Sequence, residues 1–215
     1  MKNIIAKTPA QSRFIDLLVR PKPAFVIATG TAGTGKTLLS TSVGVHKLRN
    51  GEVERLIITR PMVLADEDIG FLPGAMDEKF MPWVRPVYDA LRKCYSVAEI
   101  DRLVRSQTIE LSPISFMRGR SFENCFIICD EAQNCTSRQI VLLLTRIGVG
   151  SKMVITGDPS QHDRPSTSTD YDCGLSDLIH RVHTKSTSHE FGVVELGEAD
   201  VQRHPVVKDV VAMYN

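Results

Sequence analysis

The eight residues from Gly30, GTAGTGKT, fit the pattern G-x-x-x-x-G-K-[ST] without a mismatch, and they constrain the fold more than any other stretch of the chain. The pattern needs a buried strand leading into a tight Gly-rich turn, then a helix whose first N–H groups close around phosphate oxygens. Both flanks are present: AFVIATG (24–30) reads as a strand, and 37–50, stopped by Gly51, reads as a helix. Gly30, Gly33 and Gly35 allow the backbone to wrap closely, with Thr31, Ala32 and Thr34 completing the turn. Lys36 is expected to reach the β and γ phosphates of ATP, the Thr37 hydroxyl to hold Mg²⁺, and Leu38 to complete the nucleotide contact. The competing reading, a Gly-rich turn with no ligand, does not explain why strand and helix flank it in this order.

Four more apolar runs are bounded by turn residues: RLIITRP (55–61), CFIICDE (125–131), KMVITGD (152–158) and GVVELG (192–197). Near-continuous Val and Ile without alternation predicts strands buried on both faces, as in a parallel sheet. Helical patterns are expected at 86–95, 97–106, 137–147 and 174–182, so strand and helix alternate through an α/β layer sandwich with helices on both faces of a mostly parallel sheet. Three regions break the alternation. Residues 62–86 are rich in Pro, Gly, aromatic and acidic residues; 108–122 read as an extra strand and an Arg-rich turn; 158–172 read as a polar surface loop.

With 215 residues, one domain over 1–215 is the expectation, since two full domains with linkers need more chain. A composition of 42% hydrophobic and 24% charged residues argues against disorder. The apolar runs fall short of the ~20 residues of a membrane helix, and MKNIIAKTPAQ is too interrupted for a signal peptide; a cytoplasmic protein without a membrane partner is expected. Five cysteines, with no C-x-x-C pair and no zinc spacing against the six histidines, read as incidental thiols in a reducing compartment. Because 26 basic residues face 25 acidic ones, nucleic-acid binding would need a local patch.

Further candidates follow from strand ends. Asp130 and Glu131 close a hydrophobic strand at the crevice where α/β sheets bind ligands. Asp130 is expected to organise Mg²⁺ and Glu131 to take a proton from the attacking water; the alternative is a helix-capping pair. Gln161 in GDPSQ can orient water near a γ-phosphate, although GDPSQ alone is also a good turn. From spacing alone, Arg203 reads as a surface arginine.

Taken in order, the phosphate loop, IITRPMVLADEDIGFLPG, SFMRGRSFENCFIICDEAQN, LLTRIGVGSKMVITGDPSQHD and DVQRHPVVKDVVAMY resemble the PhoH family of phosphate-starvation-inducible ATPases over nearly the whole chain. The family is similar in turn to the first, RecA-like domain of superfamily 1 helicases. The resemblance implies an adenine contact for Gln11, a γ-phosphate contact for Arg203 and a ring of subunits, most simply a hexamer. His162, where the family usually has an aliphatic residue, and Cys173, in a Ser position, depart from the pattern.

A helicase motor closes two such domains around ATP, and this length holds one, so the missing half is expected from a second copy. Arg60, Arg118 and Arg120 are candidates to complete a neighbour's site. Phe116 and Phe122 interleaved with Arg118 and Arg120, and Trp83 beside Arg85, match the chemistry of an RNA or single-stranded DNA path. They match core anchors and surface charges equally well. Two functions stay open: a helicase-like ATPase acting on nucleic acid, and a nucleotide-gated assembly protein with slow, regulatory hydrolysis.

Overall fold

The computed structural model describes residues 5–61, 85–161, 173–185 and 188–202. Six strands, β1 (Phe25–Gly30), β2 (Arg55–Thr59), β3 (Ile109–Leu111), β4 (Cys125–Cys129), β5 (Lys152–Gly157) and β6 (Phe191–Leu196), form one sheet in the order β3-β2-β4-β5-β1-β6. Every pairing is parallel. The β4 and β5 strands are buried at every position, as their unalternating Val, Ile and Cys content requires. The edges are cheaper to expose: β3 has three residues, and β6 is half open to solvent.

Helices cover both faces. On one face α1 (Pro9–Val19) and α2 (Lys36–Arg49) pack over Val26, Ala28, Leu56, Ile58, Phe126, Ile128 and Val154. Helical residues 85–92 (α3) and α4 (Val97–Arg105) lead into β3. On the other face, α5 (Ser137–Leu144) and α6 (Gly174–Lys185) cover Ile27, Ile57, Ile127, Met153 and Ile155. The face of a side chain alternates along each strand, so Ile128 and Asp130 share the α2 face while Ile127 and Cys129 share the other. At Gly44, α2 comes so close that an added Cβ would stand 2.8 Å from Leu56 Cδ1 and Phe126 Cδ1.

The strands match expectation to within a residue or two, and the extra strand in 108–122 is β3, followed by a 3₁₀ turn at Ile114–Met117. The α5 helix stops at Leu144 rather than reaching 147, because Phe122 and Ile147 form a parallel bridge and Arg146 O accepts from the Phe122 N–H. The α1 helix has no counterpart among the sequence expectations. Its start is written in Thr8-Pro9: Thr8 Oγ1 accepts the Gln11 N–H as N-cap, and proline occupies N1, where a missing N–H costs nothing.

Candidate active site

The phosphate loop leaves β1 at Gly30 and enters α2 at Lys36, and its three glycines take φ of 131°, 86° and 92°. Gly30 cannot be replaced even by alanine, for its Cβ would lie 1.7 Å from Leu196 O on the paired strand β6. The α2 helix has Gly35 as N-cap and no acidic residue in its first turn, so the positive end of its dipole is not offset there. The Lys36 ammonium donates to Gly30 O at 2.5 Å and Thr31 O at 2.9 Å, which holds the charge at the mouth of the loop. Thr34 is fully buried, its hydroxyl donating to Thr31 O. Gln11 braces the loop from α1: its Nε2 donates to Thr34 O at 3.0 Å while Oε1 accepts from the Lys7 N–H at 2.8 Å. After β6 the chain returns to the same loop, where the Gln202 N–H donates to Gly33 O at 3.0 Å.

Asp130 does not cap a helix. It is 2% exposed, and Oδ1 accepts hydroxyl hydrogen bonds from Thr37 at 2.9 Å and Thr156 at 2.7 Å. Because β5 lies between β4 and β1, Thr156 fills the gap between the carboxylate and the loop. Nothing in the sequence separates its hydroxyl from that of any other strand threonine. Thr37 and Asp130 together form an all-oxygen donor pair at the start of α2, which suits a hard cation such as Mg²⁺ that takes one or two protein ligands and fills the rest with phosphate and water. Among the described residues no cluster of three or more His, Cys, Asp or Glu side chains offers an alternative metal site.

Glu131 follows in the left-handed region at φ 56°, which turns its side chain away from the strand direction. Its carboxylate is 42% exposed; Oε1 lies 3.4 Å from Arg60 Nη2, and Oε2 accepts from Gln133 Nε2 at 2.6 Å. Arg60 Nε also stands 3.8 Å from Asp130 Oδ2, so this arginine, expected as a group for a neighbour's site, lies in its own chain's site. Gln161 is exposed on the turn after β5, its N–H donating to Asp158 O at 3.0 Å.

Two expectations are corrected, Phe122 as a stacking face and Arg120 as a group for a phosphate. Phe122 is fully buried with the Arg120 guanidinium 4.6 Å above its ring, and it has no face left for a base. Arg120 is held bidentately by Glu110 at 2.5 and 2.8 Å, which occupies the fork a neighbouring phosphate would need. Phe116, at 51% exposure, and Arg118 remain at the surface. Arg203, Trp83 and His162 lie outside the described residues. All five cysteines are free thiols, and burial pushes Cys125 up in pKa.

The sequence model of the PhoH-like protein family matches residues 3–215. A PhoH-like protein of Bacillus subtilis is 40% identical over the whole chain, and protein PhoH of Escherichia coli K12 is 36% identical over 99% of it. The chain spans 65% and 58% of the length of these two relatives. Among solved structures, the large terminase of a thermophilic bacteriophage superposes with a TM-score of 0.59 at 12% identity, over 97% of this chain and 50% of that one. This likeness shows the fold alone: a RecA-like P-loop architecture.

Proposed function

The chain belongs to the PhoH-like protein family, and on that premise we propose that it is an ATP hydrolase that binds ATP and Mg²⁺ in the loop 30–37. The observation that carries this reading is the 2.9 Å hydrogen bond from the Thr37 hydroxyl to the buried Asp130 carboxylate, with Glu131 next in the chain and turned toward solvent. A protein that only holds nucleotide has no use for a second carboxylate at that point. Mg²⁺, when bound, offsets charge developing on the phosphate oxygens.

The roles divide as follows. The backbone N–H groups of Gly30, Thr31, Ala32, Gly33, Thr34 and Gly35 surround the phosphates, Lys36 pairs with the β and γ groups, and Leu38 contacts the nucleotide. Thr37 and Asp130 supply oxygens for the cation. Glu131 takes a proton from the attacking water, and Gln161 orients that water. Gln11, which braces the loop, takes the adenine contact that the family likeness implies once its amide turns from Thr34 O, and Arg203 meets the γ-phosphate, a role supported by the return of the preceding residue to Gly33 O.

Coupling to RNA or single-stranded DNA, and assembly into a homo-oligomer, most simply a hexamer, belong to the same proposal. The nucleic-acid part is supported by the exposed Phe116 beside Arg118, a stacking face next to a phosphate-binding charge, and the assembly by membership of the family alone. Steady-state ATPase rates with and without single-stranded RNA test the whole reading. Hydrolysis is expected to drop by about 10²-fold or more in Glu131→Gln with ATP affinity retained, and RNA is expected to stimulate the wild type. Slow hydrolysis indifferent to RNA would favour the nucleotide-gated assembly protein instead.

A further inference from the structure

One buried amide beside the candidate base has no part in the roles above. Gln133 is 3% exposed, and among the described residues its side chain bridges Glu131 and the turn after β5: Nε2 donates to Glu131 Oε2 at 2.6 Å, and Oε1 accepts from the Asp158 N–H at 3.1 Å. The amide fits in one orientation only, since a carboxylate accepts and a backbone N–H donates. Its seat is shaped to match. A Cβ on Gly157 would stand 2.6 Å from Gln133 Oε1 and 2.7 Å from Leu175 Cδ2, so β5 ends in glycine where the amide must pass. The Cys173 thiol at the head of α6 fixes the same residue from behind, donating to Gln133 O at 3.6 Å.

We propose that Gln133 is the positioning residue for Glu131, and that it couples the turn 158–161, which carries Gln161, to the base. The inference rests on the reading of Glu131 as base. Glu131 is half open to solvent, and the amide restrains the oxygen opposite the one near Arg60. Any shift of the Asp158 N–H as the turn adjusts to a γ-phosphate is transmitted through one rigid amide plane to the Glu131 carboxylate. Asparagine is too short to span both partners, and glutamate has nothing to donate to Glu131 at neutral pH.

The test is kcat and KM for ATP hydrolysis at saturating Mg²⁺ in the wild type, Glu131→Gln, Gln133→Leu, Gln133→Glu and Gly157→Ala, with nucleotide affinity measured separately by titration of a fluorescent ATP analogue. Gln133→Leu is expected to lower kcat roughly tenfold or more while KM and analogue affinity change by less than about threefold. Gly157→Ala, which displaces the amide without altering it, should reproduce that loss. Gln133→Glu, which keeps the length of the side chain but has no N–H to donate to Glu131, is expected to lower kcat in the same way, with analogue affinity again changed by less than about threefold. Wild-type kcat in both Gln133 variants, with Glu131→Gln inactive, would overturn the inference and leave the ATPase reading intact. Analogue affinity falling in parallel with kcat would reduce Gln133 to a structural role and overturn it as well. Hydrolysis that survives in Glu131→Gln would dismiss both the base and its positioning residue.

Discussion

At the scale of single residues, Asp130 is held by two hydroxyls whose roles differ. Thr37 stands at the loop and Thr156 inside the sheet, and a carboxylate with 2% exposure has no water to replace either. Thr156→Val keeps the shape and deletes one donor, so unfolding free energy is expected to fall by about 1–3 kcal/mol, read as a lower urea midpoint at unchanged m-value. Thr37→Val removes a similar bond and, in addition, an oxygen for the cation. Affinity for ATP with Mg²⁺ is therefore expected to drop in Thr37→Val far more than in Thr156→Val, which isothermal titration of each variant checks.

At the scale of elements, α1 turns the sheet into a site. Phe14 and Leu18 are fully buried on its inner face, four residues apart, and Gln11 one turn before Phe14 reaches the phosphate loop. Phe14→Ala is expected to cost about 3–5 kcal/mol in denaturant unfolding because the rigid core around it cannot collapse onto the gap. Gln11→Ala should leave the core packed but release Thr34 O. Faster amide hydrogen exchange at residues 31–35, with the strands unchanged, is the expected signature.

At the scale of the whole molecule, the sheet end opposite the site carries a charge cut off from water. Lys152, at the start of β5, is 5% exposed and donates to Leu17 O at 3.0 Å and to Pro23 O, tying the end of α1 to the central strands. Burial first, and the nearby Lys47 ammonium second, lower its pKa to about 8, against a weaker upward pull from Glu190. The unfolded chain then binds more protons than the folded one from about pH 8 up to the ordinary lysine range, so this group makes stability rise with pH across that window. Neutral Lys152 still has two N–H groups for its two carbonyls. Chemical denaturation from about pH 7 to 10 should show a positive slope of unfolding free energy that is reduced in Lys152→Met. Assembly also belongs to this scale: light scattering with and without ATP and Mg²⁺ is expected to give a multiple of the 23.9 kDa chain mass, smaller in Arg118→Ala. Among the described residues no helix is long and apolar enough to cross a membrane.

The strand sequence, the phosphate loop and the two carboxylates were legible in the chain because each depends on neighbours close in sequence: an apolar run, a glycine spacing, an acidic pair at a strand end. The start of α1 is equally local, written in Thr8-Pro9, yet its apolar face is too short to stand out by period alone. What only the tertiary structure decided lies across strands. The order β4-β5-β1 put Thr156 against Asp130, the end of β2 put Arg60 beside Glu131, and the missing side chain of Gly157 opened the seat of Gln133. Phe122 and Arg120, alike in sequence to Phe116 and Arg118, were separated from them by burial and by Glu110. Local pattern fixes which backbone conformation each segment prefers, whereas the partner of a side chain depends on strand order, and strand order is set by contacts between residues far apart in the chain.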